Sequence, residues 1–263
     1  MGNNTPDFLI IGAAKAATTM LSSMLDQHPQ AGIVYGKEPH FFSMDPVYAR
    51  GWSWYQSCFQ RCEGKSVLGD ASTSYSRIRY HPETIARILR HAPDVKIIYM
   101  VRHPLERIVS AYIERLASID ASRGHPDINH AIRAEPMMID SSRYWEVFDH
   151  YRQHFGEERI KVIWFEEFIS NTDQVFNTVC RFLGISETTT VKQNQRYRNS
   201  RAQVLQSLNR THKGNELKID SSWTPETLHW AISQLREDNT RLLQHFGKPL
   251  DYWGKLFVEQ HQS

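Results

Sequence analysis

A run of small and polar side chains early in the chain has the composition of a phosphate-binding loop. It comprises eight consecutive residues: Gly12, Ala13, Ala14, Lys15, Ala16, Ala17, Thr18 and Thr19. Small side chains let an anion approach backbone N–H groups, and Lys15 would add a positive charge. The two threonine hydroxyls could donate further hydrogen bonds. Because such short patterns also occur in ordinary alanine-rich turns, the loop alone leaves a solvated lysine as an equal alternative.

A second candidate anion site follows another apolar segment. Arg102 comes directly after the run Lys96–Val101, and Ser110 lies eight residues further on in an amphipathic stretch. A guanidinium group and a hydroxyl group are suited to holding a doubly charged phosphate. Taken alone, an Arg102 paired with a carboxylate and an exposed Ser110 would be the simpler interpretation. Because two sites suited to phosphate follow strands of one predicted sheet, anion binding is favoured over the simpler interpretation of each site.

The elements that would position these residues alternate between strands and helices. One unbroken apolar run, Phe8–Ile11, and two mainly apolar segments, Lys96–Val101 and Ile160–Trp164, predict three strands. Helical spacing of apolar residues predicts helices that end near His28, begin at Pro104, end at Gly184 and run from Leu228 to Phe246. This alternation predicts a three-layer α/β fold with a central parallel sheet flanked by helices, in a single domain, 1–263.

The composition sets further limits on the class of protein. The chain has 263 residues, of which 40% are hydrophobic and 23% charged, as in an ordinary folded protein. Its formal net charge of +2 is too small for binding nucleic acid through bulk charge. No apolar run reaches the length of a membrane span, and the N-terminal residues lack a secretory pattern, so a cytoplasmic protein without a membrane partner is expected. The three cysteines show no metal-ligand spacing.

A nucleotide kinase or GTPase loop is the obvious competitor for residues 12–19. Such a loop places its lysine directly before Ser or Thr and after a second glycine, whereas two alanines separate Lys15 from Thr18 here. The strand-end aspartate that would help to hold Mg²⁺ is also missing from the pattern, since Arg102 follows the second predicted strand. These differences favour an anion over a metal ion at the strand ends.

Taken together, these segments resemble a known enzyme family. The resemblance rests on four parts of the chain: residues 12–19, Lys37–Phe42, Gly69–Tyr75, and Arg102 with Ser110. They are similar to the sulfotransferases that use 3′-phosphoadenosine 5′-phosphosulfate (PAPS), and most similar to the branch with heparan sulfate sulfotransferase domains and soluble bacterial relatives. The similarity extends from Phe8 to about Leu208. It implies a P-loop-like fold and sulfuryl transfer from PAPS, which leaves 3′,5′-adenosine bisphosphate.

The resemblance also implies how PAPS would be bound. The residues from Ala14 to Thr19 would hold the 5′-phosphosulfate, and Arg102 with Ser110 would hold the 3′-phosphate. Arg201 resembles the late arginine that closes over this phosphate in the family. Arg198 is the alternative, because the register of this segment is open.

The phosphate loop departs from the family pattern at one position. The family usually has glycine where this chain has Ala17. If that glycine takes a positive φ, alanine would cost about 1 kcal/mol. Thr18 and Thr19 are predicted to cap the following helix through their hydroxyls.

Glu38 is the predicted catalytic base, because the matching glutamate has that role in the family, and His40 is the alternative. The flanking Phe41 and Phe42 would desolvate the carboxylate, although both are interpreted as core residues first. A structural ion pair is the other interpretation of Glu38. Lys15 would assist the leaving phosphate directly, and no metal ion is required.

The predicted function is therefore metal-independent, in-line transfer of the sulfuryl group from PAPS. The acceptor would be a hydroxyl group, or less favourably an amine, of a small molecule or saccharide. Two alternatives remain open at this stage. One is a Mg²⁺-dependent P-loop nucleotide kinase, and the other is a degenerate nucleotide-binding module without activity.

Overall fold

The chain forms two compact units in the computed structural model. The structure describes residues 4–35, 38–118, 127–187, 221–254 and 256–257, without the side chains at 117 and 118. The first unit comprises Met1–Arg102 and Val147–Tyr197, and the second comprises His103–Glu146 and Arg198–Ser263. The single domain expected from the sequence, 1–263, stays a prediction.

The first unit is built on a five-stranded sheet in which all neighbouring strands run parallel. Its strands are β1 (Phe8–Gly12), β2 (Ala31–Ile33), β3 (Val67–Asp70), β4 (Lys96–Val101) and β5 (Ile160–Trp164). They lie in the order β2-β3-β1-β4-β5. The predicted α/β fold with a central parallel sheet is confirmed, and the three predicted strands match β1, β4 and β5.

Helices connect the strands and complete both units. In the part of the chain that the structure describes they are α1 (Thr18–Gln27), α2 (Asp45–Tyr48), α3 (Trp52–Ser57), α4 (Thr84–His91), α5 (Pro104–Ser118), α6 (Ile128–Ala134), α7 (Met137–Asp140), α8 (Tyr144–Phe155), α9 (Phe165–Ser170), α10 (Thr172–Leu183) and α11 (Pro225–His245). Short 3₁₀ turns lie at Gln60–Cys62, Thr73–Ser76 and Glu157–Arg159. The four predicted helices are confirmed as α1, α5, α10 and α11.

Several helix ends follow signals that are visible in the sequence. Helix α5 begins at Pro104, where the missing N–H of proline costs nothing. Thr224 caps α11 by accepting a hydrogen bond from Thr227 N at 3.2 Å. Gly184 ends α10 in the left-handed region, with φ at 79°.

Burial of the two central strands, β1 and β4, explains why their sequences are mainly apolar. All residues of β1 are buried, as are Ile97 to Val101 in β4. Strands covered on both faces have no exposed side to reserve for polar residues. Helix α1 packs on β1 and β2, and α9 and α10 pack on β5.

The second unit is helical in its described residues. Helix α5 buries the apolar stripe predicted for it: Leu105, Ile108, Val109, Tyr112, Ile113 and Leu116. Arg107 is buried beside this stripe, where its Nε donates to Ser142 Oγ at 2.6 Å and its Nη2 donates to Met138 O. Ser110 lies on the same helix and is partly exposed.

Candidate active site

Four segments that follow strands of the sheet carry the candidate residues of the first unit. Because the strands are parallel, β1, β2, β3 and β4 all end at the same edge of the sheet. Lys15 follows β1, Glu38 and His40 follow β2, residues 71–76 follow β3, and Arg102 follows β4. Ligands of open parallel sheets bind at this edge, so the fold directs the candidate residues to one end of the molecule's first unit.

The turn after β1 is packed tightly against its neighbours. Gly12 has a φ of 145°, and a Cβ there would lie 2.3 Å from Ser76 Oγ, so a larger residue would not fit. Ala13 N donates to Met100 O of β4 at 2.7 Å, and Ala16 N donates to Ala13 O at 3.2 Å. These contacts fix the start of the phosphate loop relative to β3 and β4.

The candidate phosphate loop, residues 12–19, contains two left-handed residues that are not glycine. Lys15 has a φ of 72°, and Ala17 has a φ of 67°. Ala17 is the N-cap residue of α1, and no side-chain hydrogen bond caps this helix. The prediction that Thr18 and Thr19 act as capping residues is therefore wrong, because Thr18 is already the first helical residue. An N-terminus without a side-chain cap suits an external anion.

Replacing Ala17 with glycine is expected to stabilise the protein. Alanine is strained in the left-handed region that Ala17 occupies, and glycine is not. The greater freedom of glycine in the unfolded chain offsets part of this gain, so we expect a rise of roughly 0.5–1 kcal/mol in the free energy of unfolding. Urea unfolding of both proteins measures the difference.

Ala16→Gly provides the matched control for this substitution. Ala16 is buried and is not among the residues with a positive φ, so glycine there relieves no strain and removes a buried methyl group. We expect this variant to be less stable than the parent protein. A loss of stability in Ala17→Gly as well would contradict the strain assigned to Ala17.

Arg102 contacts the phosphate loop directly. Its Nη1 donates to Lys15 O at 3.1 Å, and its guanidinium carbon lies 4.4 Å from the ring centroid of Phe165. The side chain is thereby held beside the loop. Ser110 belongs to the second unit, so its predicted pairing with Arg102 stays a prediction. Arg198 and Arg201 lie outside the described residues.

Glu38 and His40 lie close together after β2. His40 Nε2 is 3.7 Å from Glu38 Oε2, and both side chains are partly exposed, at 28% and 26%. Both residues are left-handed, with φ at 70° for Glu38 and 57° for His40. Two strained non-glycine residues in a three-residue segment require firm support from their surroundings, and such strain is concentrated at functional sites.

Hydroxyl groups from the segment after β3 provide that support. Thr73 Oγ1 donates to Glu38 Oε2 at 3.0 Å, and His40 N donates to Ser72 Oγ at 3.1 Å. Ser74 Oγ lies 2.7 Å from His40 Nδ1 and 2.6 Å from Ser43 Oγ. Three consecutive residues therefore each hold one atom of the Glu38–His40 pair.

A buried carboxylate, that of Asp70, holds the hydroxyl-rich segment after β3 in place through hydrogen bonds. Asp70 is fully buried at the end of β3 and accepts hydrogen bonds from Ser72 Oγ at 2.7 Å, Tyr55 OH at 2.8 Å and Tyr75 OH at 2.6 Å. Burial raises the pKa of Asp70 to about 6, the charge of Glu38 acts in the same direction, and the three hydrogen bonds oppose both.

The raised pKa of Asp70 predicts a pH dependence of stability. The folded protein binds this proton more tightly than the unfolded chain does, so the contribution is fully present below about pH 4 and is lost as the pH rises to about 6 and above. A difference of about two pH units corresponds to roughly 3 kcal/mol. In Asp70→Asn, which keeps the shape without the titration, the free energy of unfolding should fall less steeply over this range. An unchanged pH profile in urea unfolding would contradict the assignment.

Aromatic residues back the Glu38–His40 segment. Phe41 and Phe42 are fully buried, which confirms their interpretation as core residues. Phe41 stacks on Tyr55 with ring centroids 4.4 Å apart, and Phe42 lies 5.6 Å from the ring of Tyr75. The chain thus enters the apolar core directly after His40.

Comparison with known proteins decides which family has this arrangement. A family model described as a sulfotransferase domain matches residues 5–235. The chain belongs to the sulfotransferase family. The match includes all five strands and every site residue named above.

The curated relatives of this chain include human sulfotransferases. Heparan sulfate glucosamine 3-O-sulfotransferase 6 from Homo sapiens is 30% identical over 195 residues, which are 71% of this chain and 54% of that protein. The human 3-O-sulfotransferase 3B1 is 28% identical over 193 residues, 71% of this chain and 48% of that protein. The chain spans about half the length of these curated relatives.

Solved structures of sulfotransferases share the fold. The sulfotransferase from Alicyclobacillus acidocaldarius has 26% sequence identity and a TM-score of 0.73, over 94% of this chain and 98% of that one. The mouse sulfotransferase SULT7A1 complexed with PAP has 13% identity and a TM-score of 0.53, over 92% of this chain and 89% of that one. The second likeness supports the fold alone.

The described residues of the chain show neither a metal cluster nor a membrane-spanning helix. Within the described ranges, no group of three or more His, Cys, Asp or Glu side chains is arranged to hold a metal ion. No helix in those ranges combines the length and the apolar character needed to cross a membrane.

Sequence reasoning missed the residues whose hydroxyl groups surround Glu38 and His40. Ser72, Thr73 and Ser74 belong to a segment that contributed to the resemblance but received no role, and Ser43 received none either. The available signal was the unbroken hydroxyl run after a strand that ends in aspartate. Hydroxyl-rich turns are common, so this run indicates a functional role only when the hydrogen-bond partners of its hydroxyl groups are known.

Proposed function

We propose that this protein transfers the sulfuryl group of PAPS to a hydroxyl group of a small-molecule or saccharide acceptor. The observation that carries the proposal is the Glu38–His40 pair, held by three hydroxyls at the same sheet edge as the Lys15 loop and Arg102. A supported carboxylate at the same sheet edge as a candidate anion-binding loop fits a reaction that needs a base and an anionic donor. Family membership supports the same reaction.

The donor would be bound through its two charged ends. Residues from Ala14 to Thr19 would hold the 5′-phosphosulfate, because the loop is small, left-handed at two positions and leads into a helix without a side-chain cap. Arg102 and Ser110 would hold the 3′-phosphate, with Arg201 or Arg198 closing over it. The contact from Arg102 to Lys15 O would then couple the two ends of the nucleotide site.

The chemical step would be an in-line displacement at sulfur. The acceptor oxygen attacks the sulfur atom, its proton passes to the Glu38 carboxylate, and the bond from sulfur to the bridging phosphate oxygen breaks. The leaving group is 3′,5′-adenosine bisphosphate, and Lys15 would stabilise the charge that develops on the bridging oxygen. This scheme uses a lysine where a nucleotide kinase uses Mg²⁺, so activity is expected without a metal ion.

The acceptor is proposed at the level of chemical class. The relatives named above act on heparan sulfate glucosamine at a hydroxyl position, which favours O-transfer to a saccharide over transfer to an amine. A small-molecule hydroxyl is the second acceptor class.

A transfer assay tests the proposal directly. The purified protein is incubated with radiolabelled PAPS and a panel of saccharide and small-molecule acceptors in the presence of a chelator. We expect label in an acceptor, whose mass increases by one sulfuryl group. Phosphate transfer from ATP with Mg²⁺ would instead identify a kinase. Binding of 3′,5′-adenosine bisphosphate without transfer to any acceptor would identify an inactive nucleotide-binding module.

A further inference from the structure

The hydroxyl of Ser74 occupies a position from which it can control the protonation pattern of His40. We propose that Ser74 is a positioning residue that holds His40 as the tautomer with its proton on Nε2, facing the Glu38 carboxylate. The inference rests on the proposed function for its catalytic consequence, but the tautomer itself is a property of the resting protein. Ser74 is 1% exposed, and its Oγ lies 2.7 Å from His40 Nδ1.

For a neutral His40 ring, the hydrogen-bond chain has two self-consistent directions. In one direction Ser43 donates to Ser74, Ser74 donates to His40 Nδ1, and the ring proton is therefore on Nε2. In the other, His40 Nδ1–H donates to Ser74, Ser74 donates to Ser43, and Ser43 donates to His40 O at a longer distance of 3.3 Å. The choice between them decides which atom of the neutral ring faces Glu38.

The Glu38 carboxylate favours the first direction. In the second direction the neutral ring would present the Nε2 lone pair to Glu38 Oε2 at 3.7 Å, an unfavourable contact between two acceptors. In the first, the N–H dipole points toward the negative charge. The distance is too long for a hydrogen bond, but it is short enough for attraction between the N–H dipole and the carboxylate. The geometry therefore assigns the proton to Nε2.

The backbone of His40 is held by a second hydroxyl of the same segment. His40 N donates to Ser72 Oγ, and Ser72 in turn donates to the buried Asp70. This support keeps His40 in its left-handed conformation, with φ at 57°. Ser72 thus fixes where the ring is, and Ser74 fixes which nitrogen carries the proton.

The consequence for the proposed reaction is that two neighbouring groups orient the same carboxylate oxygen of Glu38. Thr73 donates to Oε2 of Glu38, and the N–H edge of His40 faces the same oxygen. Without Ser74 the ring would be able to change tautomer or rotate, and the carboxylate would lose one of its two supports. Misplacing a reacting group by about 1 Å can lower a rate by about 100-fold.

Ser74→Ala tests the kinetic part of the inference, with Ser76→Ala as the matched control. Ser76 lies in the same turn and is also buried, but its hydroxyl donates to Thr73 O at 2.9 Å, whereas that of Ser74 lies beside His40 Nδ1. We expect Ser74→Ala to lower kcat by about 10- to 100-fold, to leave KM for PAPS within about two-fold, and Ser76→Ala to stay near the parent rate. Ser74→Thr, which keeps the hydroxyl, should recover most of the lost activity.

A double-mutant cycle separates positioning from general damage to the fold. If Ser74 acts through His40, Ser74→Ala should lower kcat by less than about two-fold in a His40→Ala background. Equal losses in both backgrounds would show that Ser74 supports the fold and would overturn the inference.

Nitrogen NMR of histidine-labelled protein tests the tautomer without any turnover. The ring signals of His40 are identified by their loss in His40→Ala. We expect a protonated Nε2 and an unprotonated Nδ1 in the resting protein, and a mixture of tautomers in Ser74→Ala. A protonated Nδ1 with an unprotonated Nε2 in the parent protein would refute the assignment. Failure of sulfuryl transfer with the expected tautomer would instead refute the proposed function alone.

Discussion

Replacing Lys15 with alanine is expected to lower kcat for sulfuryl transfer by about 10²- to 10³-fold. Negative charge builds up on the bridging oxygen only as the bond to sulfur breaks, so a lysine that stabilises it acts mainly on the transition state. The substitution should leave the backbone strain at this position unchanged, because lysine and alanine are similarly strained at a φ of 72°. Initial rates at saturating PAPS measure the effect, and urea unfolding checks that the variant remains folded.

Arg102→Ala provides the contrast that separates chemistry from binding at the donor site. Its predicted partner is the 3′-phosphate, which does not change charge during the reaction, so its loss should mainly raise the Kd for 3′,5′-adenosine bisphosphate. Because Arg102 also donates to Lys15 O, we expect a smaller secondary loss in kcat. If Lys15→Ala raised KM and left kcat unchanged, the leaving-group role of Lys15 would be wrong.

The strands that were predicted correctly share one physical property. β1, β4 and β5 consist mainly of large apolar residues, which makes them recognisable without any partner. Burial on both faces accounts for this in β1 and β4, whereas β5 is an edge strand in which Ile160 to Val162 are only partly buried. β2 and β3 were missed because Ala31–Ile33 and Val67–Asp70 are short, contain glycine and carry few apolar side chains. The strand conformation of β3 comes from pairing with β1, and that of β2 comes from pairing with β3, which is a tertiary effect.

The phosphate loop was located from the sequence, but its conformation was not. The position of residues 12–19 after a predicted strand suggested an anion site only together with Arg102 and Ser110, and the resemblance identified Ala17 as unusual. The structure places both Lys15 and Ala17 in the left-handed region and makes Ala17 the N-cap residue of α1. The threonines misled the capping prediction because their usual preference for N-cap positions was overridden by the loop backbone.

The support around Glu38 could not be predicted because it joins segments distant in the chain. Thr73 and Ser74 are 35 and 34 residues from their partners Glu38 and His40. The pairing depends on β2 and β3 being neighbours, and neither strand was predicted. The resemblance was enough to identify Glu38 and His40 as candidates. The hydroxyl groups that support them could be identified only from the fold.

Glu38→Gln is expected to lower kcat by about 10²- to 10⁴-fold, the range usual for loss of a general base. Glutamine keeps the size of the side chain and still offers an oxygen to Thr73 Oγ1, so the segment after β2 should keep its conformation. It cannot take up the acceptor's proton. KM for PAPS should change little, because the donor is bound by the loop after β1. Steady-state rates and an unfolding curve for each variant provide the measurement.

His40→Ala decides between the two candidate bases after β2. If Glu38 is the base and His40 orients it, His40→Ala should lose about 10- to 100-fold in kcat, less than Glu38→Gln loses. Because His40 then acts only through Glu38, adding His40→Ala to Glu38→Gln should cause little further loss. Near-normal turnover in Glu38→Gln together with complete loss in His40→Ala would reverse the assignment, and His40 would become the group that accepts the proton.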